Sequence, residues 1–231
     1  MFKLVIFDFD GTIFDSYEAI EHCATLTFET LSKDQAPPKE ELRRLISKGA
    51  ALAEAFRILH PDQKDFDPQE WTRTYRGLYA VHGQALTRPY PGLREVLDAL
   101  KAANVIVAIA SNKVFDSIKT ALKRLDLLDY FPEPLIIGDN IDGSKRKPDP
   151  VSYTDILLPR LKTLYGEDFA LRPEEVLMVG DTVTDIQYAR NIGVKVCWCR
   201  FGQGDHEECE AAKPEFTIDE LVDVVGVVMG K

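Results

Sequence analysis

Phe2-Lys3-Leu4-Val5-Ile6-Phe7-Asp8-Phe9-Asp10-Gly11-Thr12 is a buried-strand run that halts at two carboxylates one residue apart. Leu4, Val5, Ile6 and Phe7 suit a parallel strand covered on both faces. Asp8 and Asp10 then fall at its carboxyl end, where open α/β sheets place their ligands. Gly11 lets the chain turn sharply. Two unpaired carboxylates this close repel each other. The pattern therefore implies a cation between them, or a reaction at one of them. A solvated turn after an edge strand is the alternative that Asp-x-Asp-Gly alone leaves open.

Outward from this run, four more strands are expected. They are Val105–Ala110 before Ser111-Asn112-Lys113, Leu135–Ile137 before Gly138-Asp139, Val176–Val179 before Gly180-Asp181, and Val194–Cys199. Helical spacing lies between them, with Leu93, Val96, Leu97 and Leu100 on one face and Phe115, Ile118, Leu122 and Leu125 on another. Such alternation predicts an α/β fold, a Rossmann-like parallel sheet with helices on both faces. Right-handed crossovers gather the strand ends on one edge. Residues from about Ser16 to Leu86 break the pattern and read as helices separated by Pro37-Pro38, Lys48-Gly49 and Pro61 through Pro68. The expected organisation is a core from 1–15 and 87–231, interrupted by an all-helical cap over 16–86 that serves as a lid. A purely structural insertion is the competing reading. Pro159, inside the helical stretch Ile156–Leu164, predicts a kink or early break.

The 231 residues are 45% hydrophobic and 29% charged, ordinary for a globular chain with a proper core. A formal net charge of -10 argues against nucleic acid or an anionic membrane as the main partner. It does not exclude a small anionic substrate, since the local field outweighs the total. No apolar run is long enough to span a bilayer, and the N-terminal one breaks at Asp8, too early for a signal-peptide core. Four cysteines are too few and too scattered for a disulfide scaffold, so a reducing cytoplasm is expected.

Three further strand ends carry chemistry-capable residues. Ser111-Asn112 offers a hydroxyl and N–H donors to an oxyanion, though the pair also suits an ordinary turn or cap. Lys147 sits in a basic loop where Pro148 limits the neighbouring backbone, which suits a lysine that must be aimed. Asp181 and Asp185 flank the opening of a helix, and Asp185 could serve only the helix dipole. Collected on one edge, Asp8, Asp10, Asp181 and Asp185 call for a hard divalent cation, and oxygen ligands favour Mg²⁺. A carboxylate beside a metal and a phosphate cradle can attack phosphorus to form an aspartyl phosphate.

Asp8-Phe9-Asp10-Gly11-Thr12, Ser111-Asn112, Lys147-Pro148 and Gly180-Asp181-x-x-x-Asp185, in that order, resemble the haloacid dehalogenase superfamily of phosphotransferases. The helical insertion after the first motif is similar to its helical-cap, phosphoglycolate phosphatase-like branch. Tyr90-Pro91-Gly92 and Ala189-Arg190-Asn191-Ile192-Gly193 fit that branch as well. The resemblance implies that Asp8 is the nucleophile and a Mg²⁺ ligand. Asp10 would be the general acid and then base, its backbone carbonyl also on the metal. Asp181 would ligate the metal directly, and Asp185 would act through water or hold Lys147. Ser111, the Asn112 N–H and Thr12 would bind the phosphoryl group, and Lys147 would offset charge on nucleophile and phosphate. The implied activity is Mg²⁺-dependent hydrolysis of a small phosphate monoester, 2-phosphoglycolate being the first to try.

The second aspartate of the first motif favours phosphate esters over halides, because only an ester's leaving oxygen needs a proton. Phosphonate-cleaving relatives need a cap lysine, for which Lys33, Lys39 and Lys48 are available. Specificity falls to the cap, with Lys48, beside Gly49, as the first candidate to bind substrate and Arg43, Arg44 and Arg57 behind it. A sugar-phosphate mutase and a non-catalytic binding or regulatory protein are the alternatives. A receiver domain would be far shorter. Cys197, Cys199, His206 and Cys209 invite a zinc reading, but their spacing fits no common zinc pattern. Oligomeric state stays open between monomer and homodimer.

Overall fold

The computed structural model describes residues 1–32, 36–60 and 66–230. The first strand, β1, is Leu4–Phe7, and all four of its residues are buried. The remaining strands are β2 (Phe14–Asp15), β3 (Arg88–Pro89), β4 (Ile106–Val114), β5 (Ile136–Asp139), β6 (Val176–Gly180), β7 (Lys195–Cys199) and β8 (Phe216–Ile218). Six of them form one parallel sheet in the order β5-β4-β1-β6-β7-β8. From β1 the chain builds outward through β4 and β5, then returns to add β6, β7 and β8 on the other side. The reversal leaves a crevice at the carboxyl ends of β1, β4 and β6, where such sheets bind ligands.

Side-chain alternation explains the apolar run of β1. Val5 and Phe7 join the apolar layer on one face with Val96, Leu97 and Leu122, while Leu4 and Ile6 join the other with Met178, Val196 and Trp198. Helices α6 (Leu93–Ala102), α7 (Phe115–Arg124) and α11 (Val224–Met229) cover the first face, and α8 (Leu158–Tyr165), α9 (Val183–Asn191) and α10 (His206–Ala211) the second.

Between Tyr17 and Leu86 the described residues contain helices and no strand. They form α1 (Tyr17–Leu31), α2 (Lys39–Ser47), α3 (Leu52–Leu59), α4 (Pro68–Leu78), a π-helical turn (Tyr79–Gly83) and α5 (Gln84–Leu86). Asp67 caps α4 by accepting from the Gln69 N–H at 2.8 Å, with Pro68 at the first helical position. These helices share their own apolar cluster, centred on Phe28, Phe56 and Trp71, with Trp71 ring centroids 4.7 Å from Phe28 and 5.4 Å from Phe56. The chain leaves and re-enters the sheet layer through the antiparallel β2–β3 pair, which joins Phe14 to Pro89 and Asp15 to Arg88.

Three local features differ from the sequence reading. Strand β4 continues through Ser111-Asn112-Lys113 to Val114, with an irregular register against β5 beyond Ala110. Such irregularities re-aim side chains next to sites. Strand β8 went unanticipated because three residues carry too little alternation to register. The kink or early break expected at Pro159 is not a break: helical backbone runs from Val151 to Tyr165, with a π-helical turn (Ser152–Leu157) passing directly into α8. Pro159 thus follows closely on a π-helical turn, an irregularity of the kind that accompanies proline inside a helix.

Candidate active site

Asp8 leaves the end of β1 with its N–H bonded to the Val179 carbonyl of β6 at 2.8 Å. Gly11, at φ +78°, then turns the chain beneath Asp181. A Cβ at this position would lie 2.1 Å from Asp181 Oδ2, so both the turn and the approach require glycine. Asp181 is fully buried and held on both oxygens: the Thr12 hydroxyl donates to Oδ1 at 3.0 Å, and the Gln203 N–H to Oδ2 at 2.7 Å. Asp185 does two jobs. Its Oδ2 accepts from the Thr182 N–H (3.0 Å) and hydroxyl (2.8 Å) at the start of α9, and its Oδ1 accepts from Lys147 Nζ at 2.5 Å.

Asp8, Asp181 and Asp185 each present a carboxylate oxygen within 4.8 Å of the other two, and all three residues are buried. Burial, only partly opposed by the Lys147 charge and reinforced by Asp185, pushes the Asp8 carboxyl up to about 6. Burial, then Asp185 and Asp8, push Asp181 well above the usual carboxylate range. Lys147 Nζ approaches Asp8 Oδ1 to 2.8 Å but off the line of a hydrogen bond, so that buried oxygen lacks a donor. Burial alone would lower the Lys147 ammonium's pKa, yet Asp185 and Asp8 outweigh it and keep the group protonated. Three buried carboxylates against one ammonium leave negative charge over. An all-oxygen donor set of this kind fits a divalent cation.

The Lys147 loop is fixed from β4. The Asn112 amide accepts from the Lys147 N–H at 2.7 Å and donates to the Lys147 carbonyl at 3.2 Å, on the residue before a cis Pro148. Asn112 therefore aims the lysine with its side chain. The Ser111 hydroxyl accepts from the Lys113 N–H at 3.2 Å and lines the cavity.

Asp10 stands apart from the buried trio. Lys113 Nζ donates to both its oxygens, at 2.9 and 3.2 Å, and to the Tyr79 hydroxyl at 2.8 Å. Tyr79 lies in the helical segment, so Lys113 ties the first motif to the roof. Sequence reasoning assigned Lys113 no task. Its position directly after Ser111-Asn112, on a strand extending past the expected end, was the available signal.

Above these groups lies a cavity of about 200 Å³. Asp8, Asp10, Ser111, Asn112, Lys113, Lys147 and Asp185 form its floor, and Ile20, Leu45, Ile46, Phe56, Tyr75 and Tyr79 much of its roof. A volume below that of most drug-sized pockets suits a substrate of few atoms.

The model of the haloacid dehalogenase-like hydrolase family matches residues 5–199. The chain belongs to that family. It is 31% identical to a phosphoglycolate phosphatase of Aquifex aeolicus over 96% of this chain and 95% of that protein. It is 28% identical to the pyrophosphatase PpaX of Halalkalibacterium halodurans, over 96% of each chain. In fold it is similar to a haloacid dehalogenase-like family protein from Streptococcus pneumoniae, with a TM-score of 0.80, 22% identity and 98% of each chain covered.

Within this haloacid dehalogenase-like hydrolase, several expected site residues stand elsewhere. Thr12 is fully buried with its hydroxyl on Asp181, so it supports an acidic residue instead of facing the cavity. The Asp10 carboxylate, expected to serve as acid and base while the backbone carbonyl meets the metal, lies outside the buried carboxylate trio. Lys48 points away from the cavity to Glu208 of α10, at 2.7 Å. Arg44 pairs with Glu41, Arg43 lies over the Tyr17 ring, and neither they nor Arg57 line the cavity. Lys39 pairs with Glu21, and Lys33 lies outside the described residues. The cavity-lining cation of the helical segment is Arg76, which was not anticipated.

The zinc reading fails on geometry. Cys197 and Cys199 pack into one face of the sheet and Cys209 into the other, while His206 packs edge-on against Trp198 at 5.4 Å. All four cysteines are free and buried. No helix among the described residues is long and apolar enough to cross a membrane.

Proposed function

We propose that this protein is a Mg²⁺-dependent phosphatase that hydrolyses a small phosphate monoester through an aspartyl-phosphate on Asp8. One observation carries the reading. Asp8 ends the central strand beneath a small cavity, with Lys147 at 2.8 Å and Asp181 and Asp185 close enough to share a cation with it. Asp8, Asp181 and Asp185 would hold the ion, and Mg²⁺ bound there would offset charge on the transferring phosphoryl oxygens and on the nucleophile.

The residues then divide the work. The Asp8 carboxylate attacks phosphorus in line with the ester oxygen. Asp10, beyond Asp8 on the same cavity wall, donates a proton to that oxygen as it leaves. It then takes a proton from the water that releases phosphate from Asp8. Lys147 and the Ser111 hydroxyl meet the phosphoryl oxygens, and Asn112 keeps Lys147 aimed. Tyr79, Lys113 and the apolar roof close over the reacting group and limit bulk water, the use of a lid that the helical segment fits. The names of the relatives, a phosphoglycolate phosphatase and a pyrophosphatase, set the compounds to try first.

A phosphate-release assay over 2-phosphoglycolate, pyrophosphate, sugar phosphates and ethyl phosphate, with Mg²⁺ or with chelator, tests the assignment. Release that needs Mg²⁺ and disappears in Asp8→Asn is the expected result. Isomerised sugar phosphate without net release would instead identify a mutase. Equal release by Asp8→Asn would remove the nucleophile from Asp8.

A further inference from the structure

The cavity has two electrically different ends. At the floor, Lys147 faces Asp8 and Asp185, and Lys113 is occupied by Asp10. Beside the Lys147 loop, two guanidiniums share one ion-paired carboxylate. Arg76 of α4 donates through Nη2 to Asp139 Oδ2 at 2.7 Å, and Arg146 Nη1 lies 3.7 Å from the same oxygen. Arg76 Nε is buried and has no hydrogen-bond partner. Arg146 is half-buried and spends one bond on the Asn112 carbonyl, at 3.1 Å. Both side chains and Asp139 line the same cavity as Asp8.

One positive charge at this end is therefore uncompensated, and one buried donor is unused. Partly buried guanidinium donors of this sort are suited to a planar, bidentate acceptor. The neighbouring roof is mostly apolar and supplies no carboxylate to take them up. Their separation from the phosphoryl site is also set. Arg146 adjoins Lys147 in sequence, and Asn112 binds both: its carbonyl accepts from Arg146, its side chain clamps the Lys147 backbone.

We propose that Arg76 and Arg146 form a second anion site, selecting phosphate esters that carry another anionic group, a carboxylate or second phosphoryl, a short distance from the transferred one. The proposal rests on the phosphatase reading and names its substrate class. Arg76 enters from the helical segment and Arg146 from the core, so a dianionic substrate also bridges roof and floor. A neutral ester fills the phosphoryl site without that bridge.

The test compares 2-phosphoglycolate (carboxylate), pyrophosphate (second phosphoryl) and ethyl phosphate (neutral) as substrates of the full chain with Mg²⁺. Charge-assisted hydrogen bonds predict that Arg76→Met lowers the kcat/KM ratio of the preferred anionic substrate over ethyl phosphate by about 10- to 100-fold. Asp139→Asn, which removes the competing carboxylate, is expected to lower KM for the same substrate. Which anionic substrate responds decides between carboxylate and phosphoryl. Equal losses on charged and neutral esters in Arg76→Met would make the arginine structural and overturn the proposal. So would a KM raised by Asp139→Asn. Equilibrium binding of 2-phosphoglycolate and ethyl phosphate to Asp8→Asn, with and without Arg76→Met, separates the two readings. If no ester is hydrolysed by the parent, but Arg76 still discriminates in binding, the second anion site stands and the phosphatase assignment falls.

Discussion

On the floor of the cavity, Asp8 and Asp181 are buried and fixed by bonds from residues far along the chain, Val179, Thr12 and Gln203. On the roof, besides the partly buried Tyr79–Lys113 bond, two groups reach the core through partly exposed ion pairs, Lys48 to Glu208 and Arg76 to Asp139. The floor resists displacement because each carboxylate sits in a low-dielectric setting where a small shift changes its partners. Half-exposed pairs contribute little to stability and can separate readily. Under the proposed function, chemistry belongs to the rigid floor, and selection and access to the separable roof. Substitutions on the floor should then act on kcat by orders of magnitude, and those on the roof by modest, substrate-dependent factors.

Asp8→Asn gives the largest effect. With the proposed nucleophile gone, phosphate release should fall by about 10⁴-fold or more, by analogy with nucleophile deletions in other covalent enzymes. Steady-state kinetics with Mg²⁺ check this, and only a small loss would dissolve the division between floor and roof. Gly11→Ala comes next. Its Cβ would lie 2.1 Å from Asp181 Oδ2, at a φ of +78° that alanine rarely adopts. Strained backbone of this sort costs about 1–3 kcal/mol, and displacement of Asp181 should weaken Mg²⁺ activation as well. A metal titration of activity showing an unchanged half-saturation point would mean that Asp181 does not meet the ion.

The same contrast explains what could be read before any coordinates. Strand ends rich in carboxylates were visible because parallel strands are continuous apolar runs, and their ends are abrupt: Phe7 to Asp8, Gly180 to Asp181. The roof's helices were visible as helices, but not which of their charges turn inward. Arg43, Arg44, Arg57 and Arg76 carry the same local signal and Lys48 differs only by its neighbouring glycine; what distinguishes Arg76 is its long-range bond to Asp139 of β5. Lys113 escaped notice for a related reason. Its partner Asp10 is 103 positions away, and its strand was expected to stop at Ala110. Thr12 was expected on the phosphoryl group from the resemblance, yet the turn at Gly11 carries its hydroxyl to Asp181.

Lys113 tests the border between the two regions, since it touches Asp10 below and Tyr79 above. Lys113→Met should reduce kcat by about 10- to 100-fold, no more than the lower edge of a general acid–base contribution, because Asp10 stays in place and loses only the group that orients it. Tyr79→Phe, which keeps the ring under the ammonium, 4.1 Å from its centroid, should cost less. A Lys113→Met enzyme with normal kcat and raised KM would place the lysine on substrate instead of Asp10.

The floor also predicts how stability follows pH in the metal-free protein. Asp8 is raised to about 6 and Asp181 is raised in the same direction, so the folded state holds their protons more tightly than the unfolded chain. The Asp8 penalty is complete above about pH 6 and is relieved as pH falls through that value, and the Asp181 penalty has the same sign. Glu175 works oppositely: Lys3 and the Arg172 backbone hold it down at about 2, so its contribution is lost only in stronger acid. Between pH 7 and pH 5 the buried pair sets the sign. With chelator present, Tm should rise on acidification by on the order of a few degrees for a domain of this size. Mg²⁺, by favouring the ionised carboxylates, should flatten or reverse that slope. A chelated protein that loses stability over this window would show that the trio is not strained by its own charge.

Lys48 supplies the smallest effect and the finest test of the roof. It was the first cap residue expected to bind substrate, yet its ammonium pairs with Glu208 across the junction while both side chains remain about 40% exposed (40% and 39%). Exposed pairs contribute about 0.2–1 kcal/mol, which corresponds to no more than about a fivefold change in a closing equilibrium. Beside it, Gly49 approaches the core so closely that a Cβ would lie 2.8 Å from Thr184 Oγ1, so the pair adds to a contact made mainly by shape. Lys48→Ala should therefore change kcat and KM together by less than about fivefold, and Glu208→Ala should reproduce it. The double variant should be no worse than either single one, because the same contact is removed each time. A substrate-binding Lys48 behaves differently: KM rises in Lys48→Ala alone, most for the anionic ester, and Glu208→Ala lowers KM by freeing the ammonium. The Glu208→Ala enzyme is the discriminating one, since the two roles give its KM opposite signs.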